Sequence, residues 1–224
     1  MAKQNKFALS FSRLNTYRTC PMQFELVVVE KKGLFVESDA MAYGKRVHTQ
    51  LEKYGKTGNV KELTRESIKW KKLVDMIKAQ PGVKQFERKI TLDQDLEGVS
   101  WFDKQAWMRS ILDVLVVNGD TASVLDYKTG KVKPDMLQLQ MFACIVFIVF
   151  PEVETIKTGF LWLVHDQSTQ VVYKRAQFDT MWGKIMELCD EIQDAIDLGV
   201  FAPKPSPLCG WCDAKHICSH AERR

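Results

Sequence analysis

No stretch of this sequence stays apolar long enough to cross a bilayer. The longest run, Met141–Phe150, falls well short of the ~20 residues that a spanning helix needs. The start does not resemble a secretion signal, because Met1–Lys6 leads directly into a mixture of polar and apolar residues. There is no internal repeat, no low-complexity segment and no Gly-x-x-x-x-Gly-Lys-Ser/Thr phosphate loop, which argues against a helicase module. An excess of one charge is also lacking: 32 basic against 28 acidic residues leave a formal +4. That permits a local nucleic-acid-binding patch without demanding one. These absences predict a cytoplasmic chain with no membrane partner, in which the six cysteines are not disulfides.

What is present suits one domain. The 224 residues, 46% hydrophobic and 27% charged, can bury a real core. Ser10 or Ser12 can cap a first helix carrying Phe11, Leu14 and Tyr17, interrupted at Cys20-Pro21. Ser38 or Asp39 starts a second, with Met41, Gly44, Val47, His48, Leu51 and Tyr54 on one face and Gly55 and Gly58 at its end. A third begins at Thr64, turns Trp70, Leu73, Val74 and Ile77 inward and Lys69, Lys71 and Lys72 outward, and stops at Pro81-Gly82. Trp70 with its lysines could track phosphates, but it fits the buried stripe better. Lys84–Leu92 and Trp101–Arg109 read as extended. A nearly all-apolar helix over Asp135–Val149 follows Pro134, then a second hairpin around Asp166–Thr169, then a long amphipathic helix ending at Gly199. This order predicts an α/β or α+β sandwich with a mixed central sheet.

Two β-prone runs, Ile111–Val117 and Ala122–Tyr127, flank Asn118-Gly119, a strong hairpin signal. With those two as the central turn residues, Val117 pairs with Asp120 and Asp113 lies across from Val124. Side chains alternate with period two, so Asp113, Asp126 and Lys128 then share one face. A three-residue loop would send Asp113 to the other face. Carboxylates between strands this apolar are costly unless a cation satisfies them. Two carboxylates and a lysine suit a divalent-metal site for phosphodiester cleavage, the lysine steadying charge in the transition state. The plainer alternative is a surface hairpin with an incidental Asp-x-Lys.

The tail, residues 201–224, is rich in proline and cysteine and has no period of its own. Cys209, Cys212 and Cys218 give C-x2-C-x5-C, a metal-ligand spacing that wants a fourth thiolate. Cys20 is the candidate, since Cys144 and Cys189 sit on apolar helices and read as core thiols. A zinc site completed by His216 or His220 is the alternative. His165 and His220 otherwise read as solvated turn and tail residues.

The spacing Asp113…Asp126-Tyr127-Lys128 resembles the PD-(D/E)XK nuclease superfamily, and Asp126-Tyr127-Lys128-Thr129-Gly130-Lys131 is closest to its RecB-like branch. The cysteine pattern resembles the iron–sulfur members of that branch, namely the nuclease module of the AddAB helicase–nuclease and the CRISPR-associated four-cysteine exonucleases. The resemblance implies a [4Fe–4S] cluster on Cys20, Cys209, Cys212 and Cys218, clasping residues 1–30 to residues 201–224 of a single nuclease domain spanning residues 1–224. Gly44-Lys45-Arg46-Val47-His48 matches the family's G-x-x-x-H helix. It implies His48 as a ligand to Mg²⁺ or Mn²⁺ beside Asp113, Asp126 and the Tyr127 carbonyl, although a lone histidine on an apolar helix is more often a core residue. Gln138, in Gln138-Leu139-Gln140-Met141-Phe142, matches Q-x-x-x-Y and is implied to line the active site. Phe142 stands where the family has tyrosine, which leaves stacking or packing as its role. Ser110 stands where a glycine is common, and Glu87 fits a loosely defined acidic position that also reads as plain surface. The activity implied is metal-dependent DNA hydrolysis, exonucleolytic on single strands, by a chain that could self-associate or work with other DNA-processing proteins. A non-catalytic, cluster-stabilised DNA-binding or assembly subunit is the rival expectation.

Overall fold

A computed structural model describes residues 7–221. Ser10 caps α1 (Phe11–Thr19), its Oγ accepting the Arg13 N–H at 3.5 Å. Pro21 opens α2 (Pro21–Phe24), which runs on into a wider π turn over Glu25–Val29. Ser38 caps α3 (Asp39–Thr57), and Gly58, at φ 71°, closes it in the left-handed conformation that glycine adopts without strain. Gly55 does not end this helix. It lies inside α3, where an added Cβ would stand 2.5 Å from the Phe86 ring, so its role is close approach to the sheet. Met41, expected inward, is exposed in the first turn. The helix expected from Thr64 forms later and shorter: a 3₁₀ turn over Ile68–Trp70 leads into α4 (Lys71–Ala79). Trp70 is buried and donates its indole N–H to the Leu163 carbonyl at 3.0 Å.

Five strands lie side by side in chain order: β1 (Val83–Leu92), β2 (Met108–Asn118), β3 (Thr121–Lys128), β4 (Thr155–Trp162) and β5 (Gln167–Lys174). The expected extension over Trp101–Arg109 is mostly turns, and the strand begins only at Met108. All neighbours are antiparallel except β3 and β4. A parallel pair needs a long crossover, which α5 (Met136–Val149) provides. The middle of α5, Leu139 and Met141–Phe147, is buried all round, as expected for a helix without a polar face, while Met136 at its start is exposed. α6 (Phe178–Leu198) follows, closed by Gly199 at φ 66°.

The helices cover both faces. Val47, Leu51 and Tyr54 of α3 and Val74 and Ile77 of α4 pack with Phe86, Val114, Val116, Leu125 and Tyr127. The core of α1, α5 and α6 packs with Leu112, Leu115, Val124 and Phe160 on the other side. The chain is thus an α/β sandwich on a mixed sheet, the class that the order of elements predicts. No helix among the described residues is long and apolar enough to cross a membrane.

The β2–β3 turn differs from the expected one by a single residue. Asn118 pairs with Thr121 and Val117 with Ala122, so Gly119 and Asp120 are the central residues. Only Gly119 has a positive φ, 59°, which is the pattern of a turn with glycine at its first central position. The register therefore shifts by two residues from the expected one, setting Leu115 rather than Asp113 opposite Val124. A shift of two preserves the face of every side chain; a shift of one would have inverted it.

Candidate active site

Asp113 occupies a breach in the sheet. The β2–β3 ladder ends at the pair Val114–Leu125, and the β1–β2 ladder runs through Phe86–Val114 and Arg88–Leu112 without the pair between them, Glu87 with Asp113. Glu87 is in the left-handed region, φ 51°, unusual for a residue inside a strand. The break changes which face the strand buries. Strict alternation would put Leu112 with Val114, yet Leu112 joins the α5–α6 core and Val114 the α3–α4 core. With no partner strand in register, the Asp113 carboxylate turns into the gap, where Oδ2 accepts the Tyr127 N–H at 2.7 Å.

Groups from opposite faces meet at this breach. His48, from α3, brings Nδ1 to 3.2 Å from Asp113 Oδ2, with its ring edge-on to Tyr127 at 5.9 Å between centroids. One ligand atom each from His48, Glu87 and Asp113 lies within 4.8 Å of the other two. From the other face, Gln138 of α5 donates Nε2–H to Asp126 Oδ1 at 3.2 Å. Asp126 Oδ2 is 2.7 Å from Lys128 Nζ, and that ammonium also lies 5.1 Å above the Phe160 ring. The expectation that Asp113, Asp126, Lys128 and the His48 helix share one face is thereby corrected. Asp126 and Lys128 face α5, His48 comes from the α3 side, and Asp113 reaches between them because its strand pairing is interrupted.

The sequence undervalued Glu87. It is half-buried rather than a surface glutamate, and it completes the three-residue group. No local signal reveals this, because its position depends on the break opposite Asp113. The Tyr127 side chain belongs to the α3–α4 core, and its N–H supports Asp113. Phe142 is buried, so packing and not base stacking is what its ring does. Gly44 lets α3 come close: a Cβ there would stand 2.9 Å from Thr129 Oγ1, just past Lys128.

The electrostatics are those of a site short of positive charge. Burial, and then the charge of Asp113, push the Glu87 carboxyl up to about 7. Burial, reinforced by Asp113, likewise raises Asp126 against the pull of Lys128. Burial acts to lower His48, but its hydrogen bond to Asp113 and the charges of Asp113, Asp126 and Glu87 win, and the net shift is upward. Hard carboxylate oxygens with one imidazole, crowded and holding protons that a cation would displace, fit a divalent metal. The donor set of His48, Glu87 and Asp113 differs from the expected one in including Glu87. Asp126 is engaged by Lys128 and Gln138 instead.

The cysteines gather at the opposite extreme of the chain's order. Cys20 Sγ accepts the Lys204 N–H at 3.3 Å, Cys209 Sγ accepts the Ser206 N–H at 3.3 Å, and Cys218 Sγ lies 3.9 Å from Met22 Sδ. The Cys212 thiol is raised by burial and then by Cys218, Cys20 and Cys209, its neighbours. Phe24 stacks on Phe201, and Leu34 N–H donates to the Asp213 carbonyl at 2.9 Å, tying the two ends together. Among the described residues, no three of these sulfurs lie within 4.8 Å of one another. Cys144 and Cys189 are buried, with thiols pushed up to about 12 by burial, as suits inert core residues.

Comparison with known proteins places this arrangement. Residues 8–219 match the family model of the PD-(D/E)XK nuclease superfamily. The Gene 69 protein of Mycobacterium phage L5 is 33% identical over 115 residues, 50% of this chain and 39% of that protein. The Gene 69 protein of Mycobacterium phage D29 is 30% identical over 114 residues, 50% of this chain and 42% of that protein. The chain thus spans roughly two fifths of the length of the curated relatives it matches. A solved structure from Eubacterium rectale, provisionally described as an exonuclease, shares the fold with a TM-score of 0.54 at 12% identity, over 96% of this chain and 89% of that one. The family match covers almost the whole chain, including the broken strand pair, the lysine strand and the cysteines: this chain belongs to the PD-(D/E)XK nuclease superfamily.

Proposed function

We propose that the chain is a divalent-metal-dependent deoxyribonuclease that degrades single-stranded DNA from an end. The observation that carries this reading is the convergence of His48, Glu87 and Asp113 with the Asp126–Lys128 pair at one breach in the sheet. His48, Glu87 and Asp113, with Asp126 beside them, would hold the cation, which would supply Lewis-acid activation of water and neutralisation of phosphoryl charge. The chain's own groups do the rest. Lys128 presents an ammonium to the charge that develops on the phosphoryl oxygens, and Asp126 holds that ammonium in place at 2.7 Å. Gln138 holds Asp126 in turn, and its amide is a second polar contact for a phosphate. The Tyr127 N–H fixes the Asp113 carboxylate, while the α3–α4 core under Tyr127 keeps water from the far side.

We further propose that Cys20, Cys209, Cys212 and Cys218 hold a [4Fe–4S] cluster with a structural role. Cys218, Cys20 and Cys209 all act on Cys212 as neighbouring thiols, and the Phe24–Phe201 stack and the Leu34–Asp213 hydrogen bond bring the two ends together around them. Four thiolates, three of them in C-x2-C-x5-C spacing, are the set that a cubane binds one to each iron.

The test is degradation of single-stranded DNA, labelled at either end, with Mn²⁺ or Mg²⁺ added after chelation. The reading expects metal-dependent loss of label as mononucleotides or short fragments from one end. Intact DNA under every metal tried, with tight DNA binding retained, would favour the assembly-subunit alternative.

A further inference from the structure

A cavity of about 440 Å³ opens on the α5 side of the breach, walled by Ser10, Arg13, Trp101, Arg109, Ser110 and Gln138 among others. Two guanidiniums converge there without a carboxylate to balance them. Neither Arg13 nor Arg109 forms an ion pair among the described residues. Arg13 feels Arg109 as a like charge, and one of its N–H groups goes to the Ala8 carbonyl. Arg109 lies over the Trp101 ring at 5.5 Å, a ring that also carries Lys89 at 5.4 Å. Its Nε is buried and has no hydrogen-bond partner among the described residues, so the outer N–H groups of the fork are the ones that a ligand in the cavity would meet. Arg13 and Arg109 act on each other as like charges, a cost that an anion between them would offset.

The surroundings suit an anion as well. The first turn of the nine-residue α1 borders the cavity through Ser10 and Arg13, so the positive end of that helix lies at its wall. Ser10 and Ser110 bring hydroxyls to the same wall. Gln138 is shared: it lines this cavity and hydrogen-bonds Asp126 in the nuclease site. An anion seated at Arg13 and Arg109 would therefore be a near neighbour of the phosphate at Asp126 and Lys128.

We propose that this cavity is a binding site for the terminal phosphomonoester of a DNA strand, which seats the strand end so that the adjoining phosphodiester lies at the nuclease site. The proposal rests on the nuclease reading above and deepens it. A phosphomonoester carries roughly 1.5 to 2 negative charges near neutrality and presents three terminal oxygens. That matches two guanidinium forks in charge and geometry. An internal phosphodiester, with a single charge, would leave one arginine unbalanced.

The experiment measures equilibrium binding of the full chain, by fluorescence anisotropy in chelator, to oligodeoxynucleotides of one sequence ending in 5′-phosphate, 3′-phosphate or hydroxyl at both ends. One of the phosphorylated oligonucleotides should bind about tenfold more tightly than the hydroxyl-ended one, the effect of one or two charge-assisted hydrogen bonds. Arg109→Gln, checked for folding by its thermal melt, should bring that ratio close to one; Arg109→Lys, which keeps charge but not the fork, should restore part of it. Equal binding of all three ends by the wild-type chain would overturn the proposal. So would a preference that survives Arg109→Gln in the folded protein, or a loss that is equal on every oligonucleotide. Binding is read without cleavage. End preference in a chain that never cuts DNA would therefore defeat the nuclease reading alone, and cleavage without end preference would defeat this proposal alone.

Discussion

The broken strand pair and the cysteine clasp solve the same problem, holding polar groups in a fixed place, by opposite means. At Asp113 the protein does the work itself. Two layers of apolar side chains pin β2, β3, α3 and α5, and a backbone N–H and an imidazole fix the carboxylate. Along the C-terminal tail of the clasp the apolar support is thin: Phe201 against Phe24 and a buried Ala214, with Trp211, Leu208 and Ile217 exposed. A region that buries little apolar surface must draw its order from elsewhere, and four thiolates on one cluster would provide it. On the proposed reading, losing the metal would harm the first region's chemistry and the second region's structure.

The sharpest way to break that comparison is to neutralise the breach. Asp113→Asn keeps an oxygen that can accept the Tyr127 N–H but removes the charge; Lys128→Ala removes the ammonium. Each should lower single-turnover DNA cleavage by about a thousandfold, equivalent to about 4 kcal/mol of transition-state stabilisation, with the melting temperature little changed. Asp113→Ala is a different case, because it strands the buried Tyr127 N–H and should cost about 1–3 kcal/mol of stability as well. Wild-type rates in Lys128→Ala would move the active site elsewhere.

The clasp should respond in the reverse sense. Cys20→Ser or Cys218→Ser should release the ends to limited proteolysis and lower stability by roughly 4 kcal/mol or more, a size typical of a lost metal site. The cleavage rate per folded molecule should change little. Anaerobically purified protein should carry iron and absorb broadly in the visible; zinc in its place with no iron would remove the cluster and leave the clasp. If protease sensitivity were unchanged in both variants, the apolar contacts alone would suffice and the contrast would fail.

Acid titration sharpens the comparison more gently. The folded protein holds protons on Glu87 and His48 more tightly than the unfolded chain does. Their stabilising contribution is therefore complete below the unfolded values, about 4.3 and about 6.5. It is lost as pH rises through the folded ones, about 7 for Glu87 and above the ordinary histidine value for His48. Metal-free protein should lose stability across that window. Mn²⁺, which needs those groups deprotonated, should raise the melting temperature by an amount that grows with pH. A gain independent of pH would show that Glu87 and His48 are not ligands.

The smallest effect tests packing behind the breach. Gly55→Ala would press a methyl against the Phe86 ring. It should destabilise by about 1–3 kcal/mol through overpacking, partly offset by up to about 1 kcal/mol of helix propensity. Chemical denaturation measures the net change.

How much of this was legible in the sequence follows the range of the interactions. Helix caps at Ser10, Ser38 and Gly199 were readable because each depends on a few adjacent residues. The order of elements yielded the mixed sheet, and Asn118-Gly119 located the hairpin. The turn itself centres one residue later, because glycine rather than asparagine takes the first central position. The shared face of Asp113 and Asp126 could not be settled by alternation, since β2 changes its buried face where both its neighbours release it. Glu87 was undervalued for the same reason: nothing in its own neighbourhood encodes a left-handed residue opposite a gap. The Arg13–Arg109 cavity was invisible because its walls come from α1, the loop before β2, β2 itself and α5.

The proposed site stands on His48, Glu87 and Asp113 meeting at the breach in the sheet to hold one divalent cation. Pulsed electron paramagnetic resonance of Mn²⁺ titrated into the protein tests it most directly. One bound Mn²⁺ should show a nitrogen coupling from the His48 imidazole, absent in His48→Ala, and its affinity should fall in Asp113→Asn and in Glu87→Gln. Mn²⁺ bound with no nitrogen coupling, at an affinity that none of these substitutions changes, would contradict the account.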